Sequence, residues 1–282
     1  MSRAGAATDA GADTTRGPGK TLHLAFTSPE VTFDPPQTNS DQNSAIVLAQ
    51  ILEAPLCFDY LARPVRLQLA TAAAMPEVSA DGRVFTVQLQ SGIYFADDPA
   101  FKGRPRELVA QDYVYSLKRY YDPRYNSSDL YLFESLKLPG LSEQRELALK
   151  TRKPFDYDVD VEGVRALGRY SFRITLGVSD PRFIYLLAAP QNLGAVAREV
   201  VEFYGDEIGA HPVGTGAFRL KSWRRASRIE LERSPHVRPL HYSGTPADDP
   251  VAQRIATQLQ GKRLPLAERV VVLKHALRNA LT

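Results

Sequence analysis

Cysteine is nearly absent from this chain, since Cys57 is the only one among 282 residues. A single thiol excludes an internal disulfide, and it excludes a zinc site built from paired thiolates. The residues on either side of it, Leu56 and Phe58, are apolar. We therefore expect Cys57 to be a buried free thiol rather than a reactive one.

Motifs that carry catalytic or metal chemistry are also missing. The histidines are His23, His211, His236, His241 and His275. No two of them have the i, i+4 spacing, with a glutamate, that binds zinc in a metalloprotease. No Gly-x-Ser-x-Gly elbow occurs, and the pairs Asp97-Asp98 and Asp248-Asp249 each precede a proline, as loop residues do. A triad assembled by the fold stays open, but we expect no enzyme, no metal site and no cofactor.

Long apolar runs and a strong charge imbalance are absent too. The most apolar stretch, 183–190, is far too short to span a membrane. Residues 1–20 lack the apolar segment of a secretion signal, and we interpret them as a disordered leader. Lys and Arg outnumber Asp and Glu by 35 to 32, a net charge of +3 that is too small to indicate a polyanionic partner. We expect no nucleic-acid partner.

Apolar residues that alternate along the chain predict several strands. With 44% hydrophobic residues, the chain can bury a substantial core. Segments 22–26, 85–89 and 172–176 each place apolar residues at every second position, as a strand with one buried face does. The same pattern at 229–232 follows the densest basic stretch, which includes Trp223. We interpret that stretch as a solvated hairpin rather than a base-stacking site.

Helical spacing predicts a helix from Ala110 to Tyr121, which Asp122-Pro123 ends. The preceding Val109 has no oxygen to cap the first turn, and such a missing cap typically costs about 1 kcal/mol. An earlier helix, 45–52, follows a run of capping residues. By contrast, 124–160 has the composition of surface excursions and little fold signal.

Two glycines one residue apart, Gly214 and Gly216, lie within the run from His211 to Trp223. Glycine turns can cradle a phosphate, but neither the Lys-Ser/Thr of a P-loop nor the third glycine of a dinucleotide turn follows here. The pair instead indicates unusual backbone angles or close backbone contacts. We interpret it as a structural turn before a strand.

Two separated segments together carry a family resemblance. The first runs Asp81-Gly-Arg-Val-Phe-Thr-Val-Gln-Leu-Gln-Ser-Gly-Ile-Tyr-Phe95 and continues through Ala110-Gln-Asp-Tyr-Val-Tyr-Ser-Leu-Lys-Arg119. The second is His211-Pro-Val-Gly-Thr-Gly-Ala-Phe-Arg-Leu-Lys-Ser-Trp223. In order and composition they resemble the family 5 extracellular solute-binding proteins, the oligopeptide- and dipeptide-binding receptors of bacterial ABC importers. Val109 and Ala217 depart from the family, which usually has Thr and Pro there.

This resemblance implies an α/β fold of the periplasmic-binding-protein type, of the type II, peptide-binding class. It implies a main lobe I from 21–50 and 161–240, with an inserted α+β subdomain from 51–160. Residues 241–282 would extend toward a second lobe, which in the family carries the charged groups that hold the ligand termini. The likeness fades after Val272, so we expect a truncated form from which the second lobe is absent.

The resemblance also implies a function and a location. Family members hold a peptide or another small solute between two lobes and deliver it to the permease subunits of an ABC importer. They are periplasmic or extracellular, whereas the lack of a signal in 1–20 indicates either a misplaced or trimmed start or a product that stays in the cytoplasm. We expect a monomer that binds its ligand weakly, because one lobe supplies half of a closed cleft. The alternative is a non-transporting fragment that is inert or acts as an interaction module.

Candidate ligand-binding residues follow from the same resemblance. In the family, first-lobe contacts come from the loop after the first strand. Aligning this chain on Asp34-Pro35 places Asn39, Ser40 and Asp41 at those positions. Capping of the following helix by Ser40 or Asp41 is an equal alternative for these side chains.

Overall fold

The computed structural model describes residues 19–274 of the chain. Within them the strands are β1 (Thr21–Phe26), β2 (Leu56–Phe58), β3 (Leu67–Leu69), β4 (Glu77–Val78), β5 (Val84–Gln88), β6 (Val164–Gly168), β7 (Ser171–Thr175), β8 (Phe218–Arg224), β9 (Arg228–Arg233), β10 (Leu240–His241), β11 (Arg263–Leu264) and β12 (Arg269–Lys274). The α-helices are α1 (Gln42–Ile51), α2 (Ala110–Tyr121), α3 (Leu130–Glu134), α4 (Leu141–Thr151), α5 (Phe183–Leu186), α6 (Pro190–Leu193), α7 (Arg198–Tyr204) and α8 (Pro250–Leu259). Most of the leader predicted for 1–20, and all of the chain after Lys274, lie outside the described residues.

The first sheet has the strand order β1-β12-β9-β8. Strand β1 runs parallel to β12, and the other two pairs are antiparallel. The predicted hairpin at 229–232 is therefore confirmed as β8 and β9. Val270, Val272, Ile229 and Leu231 bury one face of this sheet. Leu22 on β1 is 48% exposed, because β1 is an edge strand within the described part of the chain.

The second sheet has the order β4-β5-β7-β6 and is antiparallel throughout. Its core face carries Phe85, Val87, Phe172 and Ile174, as the alternation predicts. Strand β7 pairs with β5, and β6 pairs with β7, so the predicted boundary at residue 160 does not follow the strand pairing. Alternation identifies the buried face of a strand but not its partner. The division into a main lobe and an inserted subdomain stays a prediction.

Helix α2 lies at the centre of the core and has the predicted limits. Almost every residue of it is buried, which is typical of a helix packed on several sides. Val109 makes no side-chain cap, as expected, whereas the Asp112 carboxylate accepts a hydrogen bond from the Val109 amide at 2.8 Å. The helix therefore keeps one half of a capping box.

The segment 124–160, expected to be surface excursions, instead contributes to the core. It contains α3 and α4. Its buried residues include Leu130, Phe133, Leu136, Leu138 and Leu141. The prediction was wrong because α3 has only 5 residues, too few for a clear helical period, and because α4 leaves Leu147 and Leu149 exposed, so its apolar residues do not mark one buried face.

Residues 239–264 form a separate excursion, which we call the C-terminal excursion, that includes β10, α8 and β11. It packs on the main body through a small apolar cluster of Leu61, Ala247 and Ala252. The buried Asp59 joins the two parts, because its carboxylate accepts hydrogen bonds from the Tyr242 hydroxyl at 3.0 Å and from the Thr245 amide at 2.8 Å. A second contact, outside the apolar cluster, thus holds the excursion in place.

Two further predictions from the sequence concern the burial of Cys57 and the lack of a membrane-spanning segment. Cys57 lies in β2 and is half-buried rather than buried, and the neighbouring Phe58 is 47% exposed. Among residues 19–274, we find no helix with both the length and the apolar character needed to cross a membrane.

Candidate functional site

The glycine pair is a joint between two segments of the core. A Cβ on Gly214 would overlap the carbonyl oxygen of Ile51, and one on Gly216 would lie 2.6 Å from the carbonyl oxygen of Gln50. The Gly216 amide donates to the Ile51 carbonyl at 2.8 Å. Close contact with the end of α1 thus explains both glycines, in agreement with the structural turn predicted from the sequence.

The acidic pairs singled out in the sequence cap short helices. Asp98 accepts a hydrogen bond from the Ala100 amide at 2.9 Å. Asp249 accepts one from the Val251 amide at 3.0 Å and another from the Ala252 amide at 2.9 Å at the start of α8. In the described part of the chain, no group of three or more His, Cys, Asp or Glu side chains could hold a metal ion.

The loop that follows β1, residues 27–33, is the candidate ligand-binding surface, and we call it the β1 loop. It lies at the carboxyl ends of the parallel strands β1 and β12, where Phe26 is paired with Lys274. Open α/β sheets bind their ligands outside the carboxyl ends of the strands. Thr27, Ser28 and Val31 are exposed here, so the loop presents side chains and backbone to solvent.

A buried carboxylate holds the middle of the β1 loop. Glu30 is 6% exposed and accepts hydrogen bonds from the indole N–H of Trp223 and from the Ala226 amide, the latter at 2.9 Å. The Trp223 ring also packs against Phe33, with the ring centroids 4.5 Å apart. The hairpin of β8 and β9 therefore supports the loop from beneath.

Two further contacts fix the remainder of the β1 loop. The hydroxyl oxygen of Ser44, on α1, accepts hydrogen bonds from the Val31 amide at 3.0 Å and from the Thr32 amide at 3.3 Å. The Phe33 amide donates to the Gly209 carbonyl at 3.0 Å. Because the loop is anchored at several points, it needs little ordering to meet a ligand, which lowers the entropic cost of binding.

An ion pair anchors the residue just after the β1 loop. Arg119 Nη1 lies 2.6 Å from Asp34 Oδ1, Nη2 lies 2.9 Å from Oδ2, and each side chain is 1% exposed. The guanidinium also faces the ring of Tyr125 at 4.4 Å. Burial by itself would lower the pKa of Arg119, but the Asp34 carboxylate outweighs it and raises that pKa. Arg119 is therefore charged, and its contact with Asp34 ties the loop to α2.

The predicted ligand-binding residues Asn39 and Ser40 lie in the turn between this anchor and α1. Both have a left-handed backbone, with φ of 53° and 56°. The Asp129 carboxylate accepts hydrogen bonds from the hydroxyl and the amide of Ser40, and Asn39 Oδ1 accepts one from Ser128 at 3.1 Å. Both side chains are exposed but already have partners within the chain.

Asp41, the third predicted residue, caps helix α1. Its Oδ2 accepts a hydrogen bond from the Ser44 amide at 2.7 Å, which is the alternative role considered from the sequence. The same Ser44 holds the β1 loop through its hydroxyl, so Asp41 supports the loop indirectly. A ligand contact by Asn39, Ser40 or Asp41 stays a prediction.

Sequence reasoning missed the residues that shape this surface. Glu30 and Trp223 are separated by 193 positions, so no local pattern could pair them. The one available signal was the place of Glu30, a few residues after a predicted strand. Arg225 lies over the Trp223 ring at 5.0 Å, and with Lys274 it adds positive charge near the loop.

A family model, "Bacterial extracellular solute-binding proteins, family 5 Middle", matches residues 66–272. The chain belongs to this family. The resemblance seen in the sequence is therefore confirmed, and the match covers the second sheet, the hairpin of β8 and β9 and the C-terminal excursion, but not β1.

Several curated relatives of this family 5 chain are peptide- or glutathione-binding proteins. It is 32% identical over 157 residues to the periplasmic oligopeptide-binding protein OppA of Salmonella typhimurium. The aligned residues make up 55% of this chain and 26% of OppA. It is 26% identical over 209 residues to di/tripeptide-binding protein 2 of Pseudomonas aeruginosa. That alignment covers 68% of this chain and 35% of the relative. It is 25% identical over 156 residues to the glutathione-binding protein GsiB of Escherichia coli O1:K1 / APEC, with 55% and 24% covered. The chain thus spans about a quarter to a third of their length.

Solved structures of oligopeptide-binding proteins share its fold. Listeria monocytogenes OppA bound to peptide superposes with a TM-score of 0.66 at 19% identity, covering 92% of this chain and 43% of that one. DppA from Helicobacter pylori in complex with the peptide STSA gives 0.61 at 20% identity, covering 91% and 43%. The predicted periplasmic-binding-protein fold is confirmed, and the chain corresponds to under half of these two-lobed proteins.

Proposed function

We propose that this chain is the solute-binding component of an ABC importer for peptides, and that its β1 loop forms one wall of the peptide cleft. Membership of family 5 and the peptide-binding relatives support the class of ligand. The observation that carries the proposal is the exposed but firmly anchored loop at the carboxyl ends of β1 and β12. The receptor would act in the periplasm as a monomer, without catalysis or nucleic acid, and pass its ligand to the permease.

The exposed backbone of the β1 loop suits an extended peptide. A peptide that lies along it can exchange main-chain hydrogen bonds, with waters bridging the remaining gaps, so affinity depends little on side-chain identity. Ser28, Pro29 and Val31 would face the ligand, while Glu30 stays buried beneath them. Asn39 and Ser40 would contribute only at the outer end of the cleft. To bind the ligand, they must first give up their hydrogen bonds with Ser128 and Asp129, respectively.

A single wall should bind weakly. The ligand loses much of the burial and many of the polar partners that a closed cleft supplies, while the entropic cost of association is unchanged. We therefore expect a dissociation constant of about 1 mM, which corresponds to roughly −4 kcal/mol of binding free energy.

The single tryptophan, Trp223, offers a direct test, because it is the only one in the chain and lies beneath the β1 loop. Tri- and tetrapeptides should change its fluorescence saturably in the millimolar range. Matched peptides with N-methylated backbones should not, since they lack main-chain donors. No response to any peptide, or an equal response to the methylated set, would overturn the proposal and favour the inert fragment or interaction module.

Variants separate the β1 loop from the predicted turn. Glu30→Ala removes the buried support of the loop and should weaken the peptide response several-fold. Asn39→Ala loses an exposed contact with Ser128 and places alanine at a left-handed φ of 53°, but it leaves the β1 loop supported and should have a smaller effect. Glu202→Ala, a change to an exposed carboxylate on α7, is the control. An effect of Asn39→Ala larger than that of Glu30→Ala would place the ligand at the turn instead.

A further inference from the structure

A cavity of about 510 Å³ lies away from the β1 loop and shares no residue with it. Its walls come from the end of α1, from the hairpin of β2 and β3, and from β10 in the C-terminal excursion. Ligand sites in proteins commonly measure about 300–1,000 Å³. This space could therefore enclose a molecule the size of a blocked amino acid.

The walls of this cavity are mainly apolar. Leu52 and Leu56 are buried at its inner end, whereas Phe58, Leu69 and Tyr60 are 47%, 42% and 73% exposed around its mouth. The Phe58 ring stacks on Tyr185, outside the cavity, with centroids 6.2 Å apart. Large apolar side chains left exposed around a concave surface are a mark of a binding site.

An ion pair between Glu53 and Arg238 forms part of the cavity wall. Arg238 Nη1 and Nη2 lie 2.7 Å and 2.8 Å from the two carboxylate oxygens of Glu53, and both side chains are mostly buried. Thr215 donates to the same carboxylate at 2.9 Å. The Gln90 amide nitrogen donates to the Ala72 carbonyl at 2.8 Å, and its amide group also lines the cavity.

We propose that this cavity is a second solute site, which takes a small uncharged molecule with an aliphatic or aromatic body and an amide head. The apolar walls favour such a body, because burial of its surface is the main source of affinity. A ligand with a net charge would be disfavoured, since Glu53 and Arg238 already neutralise each other and neither is free to pair with it. The amide head can hydrogen-bond to Gln90 and to the exposed rim.

Cys57 makes occupancy of the cavity measurable. It is the only thiol in the chain, it lies in the cavity wall, and its sulfur is 4.0 Å from the Leu69 carbonyl oxygen. Burial raises the pKa of Cys57, with a smaller contribution from Glu53, so alkylation at neutral pH should be slow enough to follow. A bound molecule should slow it further.

The experiment compares blocked amino acids as probes on the full chain. N-acetyl-phenylalaninamide and N-acetyl-leucinamide should slow the alkylation of Cys57 saturably, whereas N-acetyl-glycinamide should not. Equilibrium dialysis should find one molecule bound per chain, a measurement that does not depend on thiol reactivity. Absence of binding in dialysis, or equal protection by the glycine derivative, would overturn the proposal.

Matched variants place the site. Tyr60→Ser removes an aromatic ring from the mouth of the cavity and should weaken the binding of both probes about fivefold. Tyr131→Ser removes a similarly exposed ring, 60% accessible, from α3 and should leave binding unchanged. Equal affinities in the two variants would show that the probes bind elsewhere. Because Trp223 reports on the β1 loop and Cys57 on this cavity, failure at one site is distinguishable from failure at the other.

Discussion

Replacing Asp34 with leucine should destabilise the protein by about 3–5 kcal/mol, the usual cost of breaking a buried ion pair from one side. Both partners are 1% exposed, so water cannot reach the guanidinium of Arg119 once its carboxylate partner is removed. The guanidinium cannot give up its charge within a protein, and it would keep only Tyr125 as a polar contact. The loss should therefore lie at the upper end of the range for single substitutions.

A double variant tests the reasoning more sharply than the single one. Asp34→Leu combined with Arg119→Met removes both charges and keeps apolar volume in the core. Replacing both members of such a pair with apolar residues is often nearly neutral. The double variant should therefore be more stable than either single variant. Urea unfolding followed by circular dichroism, with an unchanged dependence on urea concentration, provides the free energies.

The control is an ion pair of similar chemistry at the surface. Arg198 and Glu202 lie 2.6 Å apart on α7, and their side chains are 40% and 60% exposed. Glu202→Ala should cost no more than about 0.5 kcal/mol, because water screens the pair. If Asp34→Leu cost as little as this control, or if the double variant were the least stable of the three, the buried pair would not hold the loop as argued.

Three further predictions concern the joint, the helix cap and the excursion. Gly214→Ala should lower the free energy of unfolding by about 1–3 kcal/mol, because the added Cβ would overlap the end of α1. In the control, Gly168→Ala, the added Cβ meets nothing within 4 Å and should leave stability nearly unchanged. Equal losses of unfolding free energy in the two variants would contradict this. Val109→Thr should stabilise α2 by about 0.5–1 kcal/mol, seen as a higher urea midpoint, because the added hydroxyl can accept from a first-turn amide; no gain would contradict this. Desolvation would raise the pKa of Asp59, but hydrogen bonds from Thr245, Leu61 and Tyr242 outweigh it and hold that pKa below 3.8. The stabilisation from these hydrogen bonds is present above this value and is lost as pH falls through the lowered pKa. Amide exchange at 242–252 should therefore speed up in strong acid, and Asp59→Asn should show the same at neutral pH. Protection of these amides that survives both changes would refute the role of Asp59.

The elements that the sequence predicted well are those whose signal is local. Helix α2 has the limits that its spacing and the following Asp122-Pro123 indicate, and β5 and β7 follow their alternation. The turn at Gly214 was also predicted, because the glycine pair is visible in the sequence. The structure gives the reason for the glycine, since a side chain there would overlap a neighbouring segment. Short helices such as α3 were not, since too few turns are present to establish a period.

The candidate site was harder to predict than the fold. Aligned positions pointed to Asn39, Ser40 and Asp41, but the structure gives these side chains partners in the turn, in α1 and near α3. The residues that hold the β1 loop, such as Glu30 and Ser44, act through contacts across the fold. Polar residues in a loop look alike in a sequence whether they face water or a buried partner.

The sequence by itself determined the family, the fold class and the buried faces of the main strands, because periodicity and motif order record which side of each element avoids water. Only the tertiary structure decided that β6 and β7 join the sheet of β5, that Trp223 lies under the β1 loop and that Asp34 meets Arg119. Those outcomes depend on contacts between residues 83 to 193 positions apart. Such pairing is selected by the packing of the whole chain and leaves no repeating pattern in either partner.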